Sequence, residues 1–128
     1  MSPMVSNVLK YLLAALLIIF GVNKFAGFLP PPEISGDGAE LMRIYFTSGF
    51  FKIIGVLEII SGVLILANKY VPLAFTIAAA ILFNALVFHL LHDPAGSPGA
   101  IVGLLLTLAS IFTRKEGMDV LKLSLIHI

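Results

Sequence analysis

Long apolar runs alternate with short polar breaks along this chain. Residues 8–28, 47–67, 71–91 and 96–113 are each long enough, at about 1.5 Å per helical residue, to cross or nearly cross a bilayer. The fourth is the shortest, and its small residues Gly103, Ala109 and Ser110 among leucines suit close helix packing. Between the first two runs, Pro30, Pro31 and Pro32 cannot continue a helix, and SGDG at 35–38 is turn chemistry. Leu41, Ile44 and Tyr45 recur at helical spacing after that turn, which predicts a short interfacial helix over 39–46. Asn68, Lys69 and Tyr70 predict a tight turn, with Pro72 in the first turn of the next helix, where its missing N–H costs nothing. His92, Asp93, Pro94 and AGSPG make the last turn. The pattern predicts an all-α membrane protein, a four-transmembrane-helix bundle forming one domain over 1–122.

Polar residues inside the runs carry the chemistry. Glu58 lies within TSGFFKIIGVLEIISGVLILA, where an ionisable group costs at least about 2.5 kcal/mol to insert and so faces the bundle with a partner. On a helix, Lys52, Gly55, Glu58, Ile59 and Gly62 share roughly a third of the circumference, so the charged side is also the small-residue side. Gly55 and Gly62 are therefore read as helix-packing positions. Glu58 lies about 13 Å from Gly49, near the start of its span, and Asn84 about 10 Å from the matching end of the third. Lys24, Lys52 and His89 are shallower, and with Asn23 these residues could line one polar pocket. Each also has a plainer reading: Asn84 as an interhelical hydrogen-bonding group, the lysines as interface anchors, His89 as an interfacial residue.

Composition narrows the function classes. The 128 residues are 59% hydrophobic and 12% charged, half the charge of an ordinary soluble domain. The net charge of +1 and the scattered basic residues give no nucleic-acid-binding face. With no cysteine, thiol redox chemistry and cysteine-ligated metal are absent from this chain. Two histidines three apart on one helix cannot clamp a haem from opposite faces, and no metal site is expected. Metalloprotease, phosphate-loop and nucleophile-elbow motifs do not occur, and no catalytic residue is assigned.

Four spans put both termini on one side. Lys10, Lys69, Arg114, Lys115 and Lys122 fall there, whereas Lys24, Arg43 and Lys52 on the other side are diluted by Glu33, Asp37, Glu40 and Asp93. The positive-inside rule makes the termini cytoplasmic. GVNKFAGF after the first run is a poor cleavage site, so that run is read as a span and not a signal peptide. LSLIHI at 123–128 is a poor continuation of a polar tail. It matches one reading frame of a transposon-end sequencing adapter and is read as an artefact, so His127 receives no role.

The strings FGVNKFAGFLPPP, SGFFKIIGVLEIISGVLIL and PLAFTIAAAILFNALVFHLLHDP together resemble the DoxX family over most of the chain. The resemblance rests on Asn23-Lys24-Phe25, on Gly55 with Glu58 and Gly62, and on Asn84 with Phe88-His89. It implies a four-helix integral protein, in bacteria usually of the cytoplasmic membrane. Some members are subunits of thiosulfate:quinone oxidoreductases or associate with other redox enzymes, which implies an accessory or quinone-facing subunit with a membrane redox partner and no catalysis alone. Two further readings stay open: a small transporter or lipid-binding bundle, and a structural scaffold. An oligomer fits any of the three.

Overall fold

A computed structural model describes residues 2–115, 118, 119, 121 and 122. The suspected artefact at 123–128, with His127, lies outside them. Helix α1 runs Pro3–Ala26, α2 Gly36–Thr47, α3 Phe50–Ala67, α4 Val71–His92 and α5 Ser97–Thr113, the last preceded by a 3-10 turn over Pro94–Gly96. Four of these helical segments, α2 excepted, are long and apolar enough to cross a membrane.

Helix ends explain where the observed limits depart from the hydropathy pattern. Ser2 caps α1, its hydroxyl accepting from the Val5 N–H, and Pro3 takes the first turn, so α1 begins five residues before the apolar run. Gly27, in the left-handed region at φ 62°, ends it. Gly49, at φ 83°, separates α2 from α3, so the second span starts at Phe50 and not at 47. The interfacial helix extends three residues further toward the N-terminus than 39–46, back to Gly36. At the other end of α3, Asn68 and Tyr70 both adopt left-handed backbone, turning the chain in three residues.

The four spans form a ring in which α1 and α4 each contact both α3 and α5, while α2 rests on α3 and α4. The closest pair is α1 with α3. Their antiparallel register can be followed residue by residue: Lys10 meets Asn68, Ala14 meets Gly62, Gly21 meets Gly55, and Lys24 meets Glu58. Glycine makes this approach possible. A Cβ on Gly21 would stand 2.7 Å from the Gly55 carbonyl oxygen, and one on Gly62 would stand 2.9 Å from that of Ala14.

Polarity is distributed as a bilayer requires. Leu12, Ile19, Ile53, Ile60, Leu73, Phe83, Leu90, Leu105 and Phe112 are exposed, while Lys10, Glu58, Ser61, Thr107 and Ser110 are buried. Helices apolar on their outward face and carrying polar groups within match a lipid solvent rather than water. Buried Ser61 and Thr107 donate to the carbonyls of Leu57 and Gly103 on their own helices, which removes the cost of a bare hydroxyl.

The ring is packed at one end and hollow at the other. Leu13, Ala14 and Leu17 of α1, Ile65 of α3, Ala74, Phe75, Ala78 and Leu82 of α4, and Ile111 of α5 form the apolar core toward the chain termini. Beyond Leu82, toward the proline loop, the interior opens.

Candidate functional site

The hollow end holds a cavity of about 1020 Å³. Its floor is the α1–α3 contact. Because glycines draw these helices together, the long Lys24 side chain reaches across to Glu58, and its Nζ pairs with Oε1. Glu58 is 2% exposed and Lys24 19%, so the acid is nearly shut in while the ammonium borders the open space. The Lys24 ammonium also lies 5.6 Å from the centre of the Phe51 ring, where the ring face attracts a cation. Removing one partner would strand the other charge at low dielectric, so the pair is conditional on both members.

Aromatic rings form one wall and the roof. Tyr45 of α2 stacks on Phe50 at 5.4 Å, and its ring centre is 5.2 Å from that of Phe51 and 6.4 Å from that of Phe88 on α4. The short helix is thereby seated over the hollow. On its exposed side Arg43 pairs with Glu40 and holds that carboxyl below its ordinary range, first through the hydrogen bond and then through charge. That pair is exposed and solvated. Gly38 sits against the His92 ring, where a Cβ would come 2.7 Å from His92 Cβ.

A second polar pair stands on the α4 side. His89 Nδ1 is 3.1 Å from Asp93 Oδ2, one helical turn apart, and both residues line the cavity. Asp93 is buried.

Asn23, Lys24, Glu58, Asn84 and His89 all line this space. Asn23 is also a structural residue there: its Oδ1 accepts the Leu29 N–H at 2.8 Å and its carbonyl accepts the Gly27 N–H, fastening the end of α1. Asn84 makes no hydrogen bond to another helix among the described residues; its amide donates to the Ala80 carbonyl of its own helix at 2.8 Å. Lys52 departs from the expected cluster. It lies in the first turn of α3, is exposed and falls outside the cavity lining, while its neighbour Phe51 lines the cavity. Gly55 and Gly62 both press on α1.

Sequence reasoning passed over four residues. Gly21 is the α1 half of the glycine contact, signalled only by a lone glycine among large residues. Tyr45 was placed on an interfacial stripe and not over a ligand space. Asp93 read as turn chemistry, although its spacing of four from His89 puts both on one helical face. In the sequence Lys10 counts only toward the charge bias that sets topology, yet it is buried and donates to Asn68 Oδ1 at the opposite end of the bundle.

The site is therefore a half-open hollow with apolar and aromatic walls, an ion pair at its floor and an imidazole–carboxylate pair on one side. Such a lining suits a molecule with an apolar body and a compact polar head. Comparison of the chain with protein-family models, curated proteins and solved structures finds no match.

Proposed function

We propose that this membrane protein binds an amphipathic ligand in the hollow between the proline loop and the apolar core, as an accessory, quinone-facing subunit of a membrane redox system. The observation that carries the binding part is the cavity itself, with Lys24 and Glu58 beneath aromatic walls. A quinone head group fits this lining: Lys24 supplies a donor for a ring oxygen, and Tyr45, Phe51 and Phe88 supply flat apolar surface. The quinone supplies the redox chemistry, and electrons come from a partner protein. The redox assignment rests on the resemblance to DoxX proteins, which also supports a bacterial cytoplasmic membrane.

In this reading the termini face the cytoplasm and the cavity opens outward, which the excess of lysine and arginine at the terminal end supports. The lipid-binding alternative uses the same space. A pure scaffold has little support, because a bundle serving only to hold partners has no need of a charged hollow. Purification from native membrane in mild detergent, followed by mass spectrometry of small molecules released on denaturation, tests the reading. A quinone retained by the wild type and depleted at least about tenfold in Glu58→Gln, the equivalent of losing a charge-assisted hydrogen bond, is expected. Phospholipid in its place would favour the lipid-binding alternative, and an equal quinone content in both proteins would contradict the proposal.

A further inference from the structure

The imidazole–carboxylate pair has a feature that a simple surface contact lacks. Asp93 approaches His89 across the backbone of Gly96: a Cβ on Gly96 would stand 2.3 Å from Asp93 Oδ2 and 2.7 Å from His89 Nδ1. Gly96 has φ −87°, open to any residue, so the backbone does not demand glycine here. The close approach of the two side chains does. Asp93 is itself fixed, its N–H donating to the His89 carbonyl and its carbonyl accepting from the Gly96 N–H, both at 2.9 Å.

A carboxylate only accepts hydrogen bonds, so in the neutral ring the Nδ1 facing it carries the proton and Nε2 keeps the lone pair. The Nδ1 and Cε1 edge of the ring is covered by Gly96, while the Phe88 ring stands against it edge-on, with centres 5.5 Å apart and planes at 82°. His89 lines the cavity, and among the described residues no hydrogen bond is made to Nε2. That nitrogen is the one the ring can offer a ligand.

We propose that His89 is a hydroxyl-accepting residue of the cavity, held in one tautomer by Asp93 across Gly96, and that it selects ligands whose polar head carries an O–H. This rests on the ligand-binding reading above and adds the chemistry of the head group. Of a quinone and its quinol, only the quinol has such a donor. His89 and Asp93 act here as specificity residues, since a ligand without the hydroxyl leaves Nε2 unpaired. Lys24 and Glu58 at the floor, Tyr45 in the roof and Glu33 from the proline loop are the other titratable groups lining the same space.

The test compares para-decylphenol with para-decylanisole, which share an apolar body and differ by the capped hydroxyl. Their affinities are measured by equilibrium binding to the full chain in lipid nanodiscs. The wild type is expected to favour the phenol about tenfold, the equivalent of one buried hydrogen bond. The preference is expected to fall to about one in Gly96→Ala, whose methyl displaces Asp93 from the ring, and in His89→Phe, which keeps an aromatic wall without the acceptor. Two variants are used so that a folding defect in one leaves the other informative, and a thermal unfolding midpoint close to that of the wild type reports an intact bundle. Wild-type binding of both compounds with no preference would overturn the hydroxyl assignment and leave the ligand-binding reading standing. A preference that survives both substitutions would also overturn it. Failure of the wild type to bind either compound would count against both proposals.

Discussion

At the scale of single residues, most of the site depends on how closely α1 and α3 approach. Lys24 reaches Glu58 because Gly21 and Gly55 let the two backbones approach to a distance a Cβ would forbid. A methyl at Gly21 meets backbone, which cannot swing aside as a side chain can. Gly21→Ala is expected to destabilise the bundle by about 1–3 kcal/mol, as overpacking does. Gly27→Ala meets open space and loses only the left-handed preference, so about 1 kcal/mol is expected. Thermal unfolding of both variants in one detergent checks the order, and a larger loss at Gly27 would contradict the packing argument. Glu58 was legible in the sequence because an acid in an apolar run costs too much to be incidental. Lys24 as its companion was one of several lysines, since sequence gives depth along a helix but not which spans touch. Lys52 illustrates the limit: it shares a helical face with Glu58, yet it is exposed and outside the cavity lining.

At the scale of elements, α2 is the part least determined by hydropathy. Its spacing predicted a short helix but not its seat over the hollow, which depends on Tyr45 finding Phe50, Phe51 and Phe88 from two other helices. Tyr45→Ala is therefore expected to loosen α2 and speed amide hydrogen exchange over 36–47 at least about tenfold, the loss of roughly one aromatic contact. Glu40→Gln is expected to leave that exchange unchanged. The Glu40 carboxyl is held below its unfolded value, so its contribution is present above the ordinary carboxylate range and is lost as pH falls through the lowered value. Acidification across that window is expected to unpair Arg43 without unseating the helix. Exchange that follows the Glu40 titration would show that the pair, and not Tyr45, holds α2.

The same loop tests the orientation. The chain has no cysteine, so single cysteines are clean reporters. Asp37→Cys at the cavity end is expected to react with a membrane-impermeant maleimide on intact cells, and Lys69→Cys only after permeabilisation. The reverse pattern would invert the proposed topology.

At the scale of the whole molecule, the bundle was the most legible feature and the cavity the least. Four apolar runs separated by proline and glycine turns leave few alternatives to four packed spans, because a backbone in lipid must satisfy its own hydrogen bonds. The division into a packed half and a hollow half is a property of side chains from several helices at once. Leu82 closes the core on one side and borders the hollow on the other, and nothing local to Leu82 announces that. Asp93 belongs to the same class, since its partner is near in sequence but its burial depends on the turn that follows.

The Lys24–Glu58 pair joins α1 to α3 beneath the cavity, and a double-mutant cycle with Lys24→Met and Glu58→Met measures that joint directly. Lys24→Met is expected to lose about 3 kcal/mol or more of unfolding free energy, because it strands the buried Glu58, and Glu58→Met to lose less, because the Lys24 ammonium borders the cavity. The double variant should recover about 2 kcal/mol or more relative to the sum of the two losses. Losses that simply add would contradict the account, showing that these two charges do not meet within the membrane.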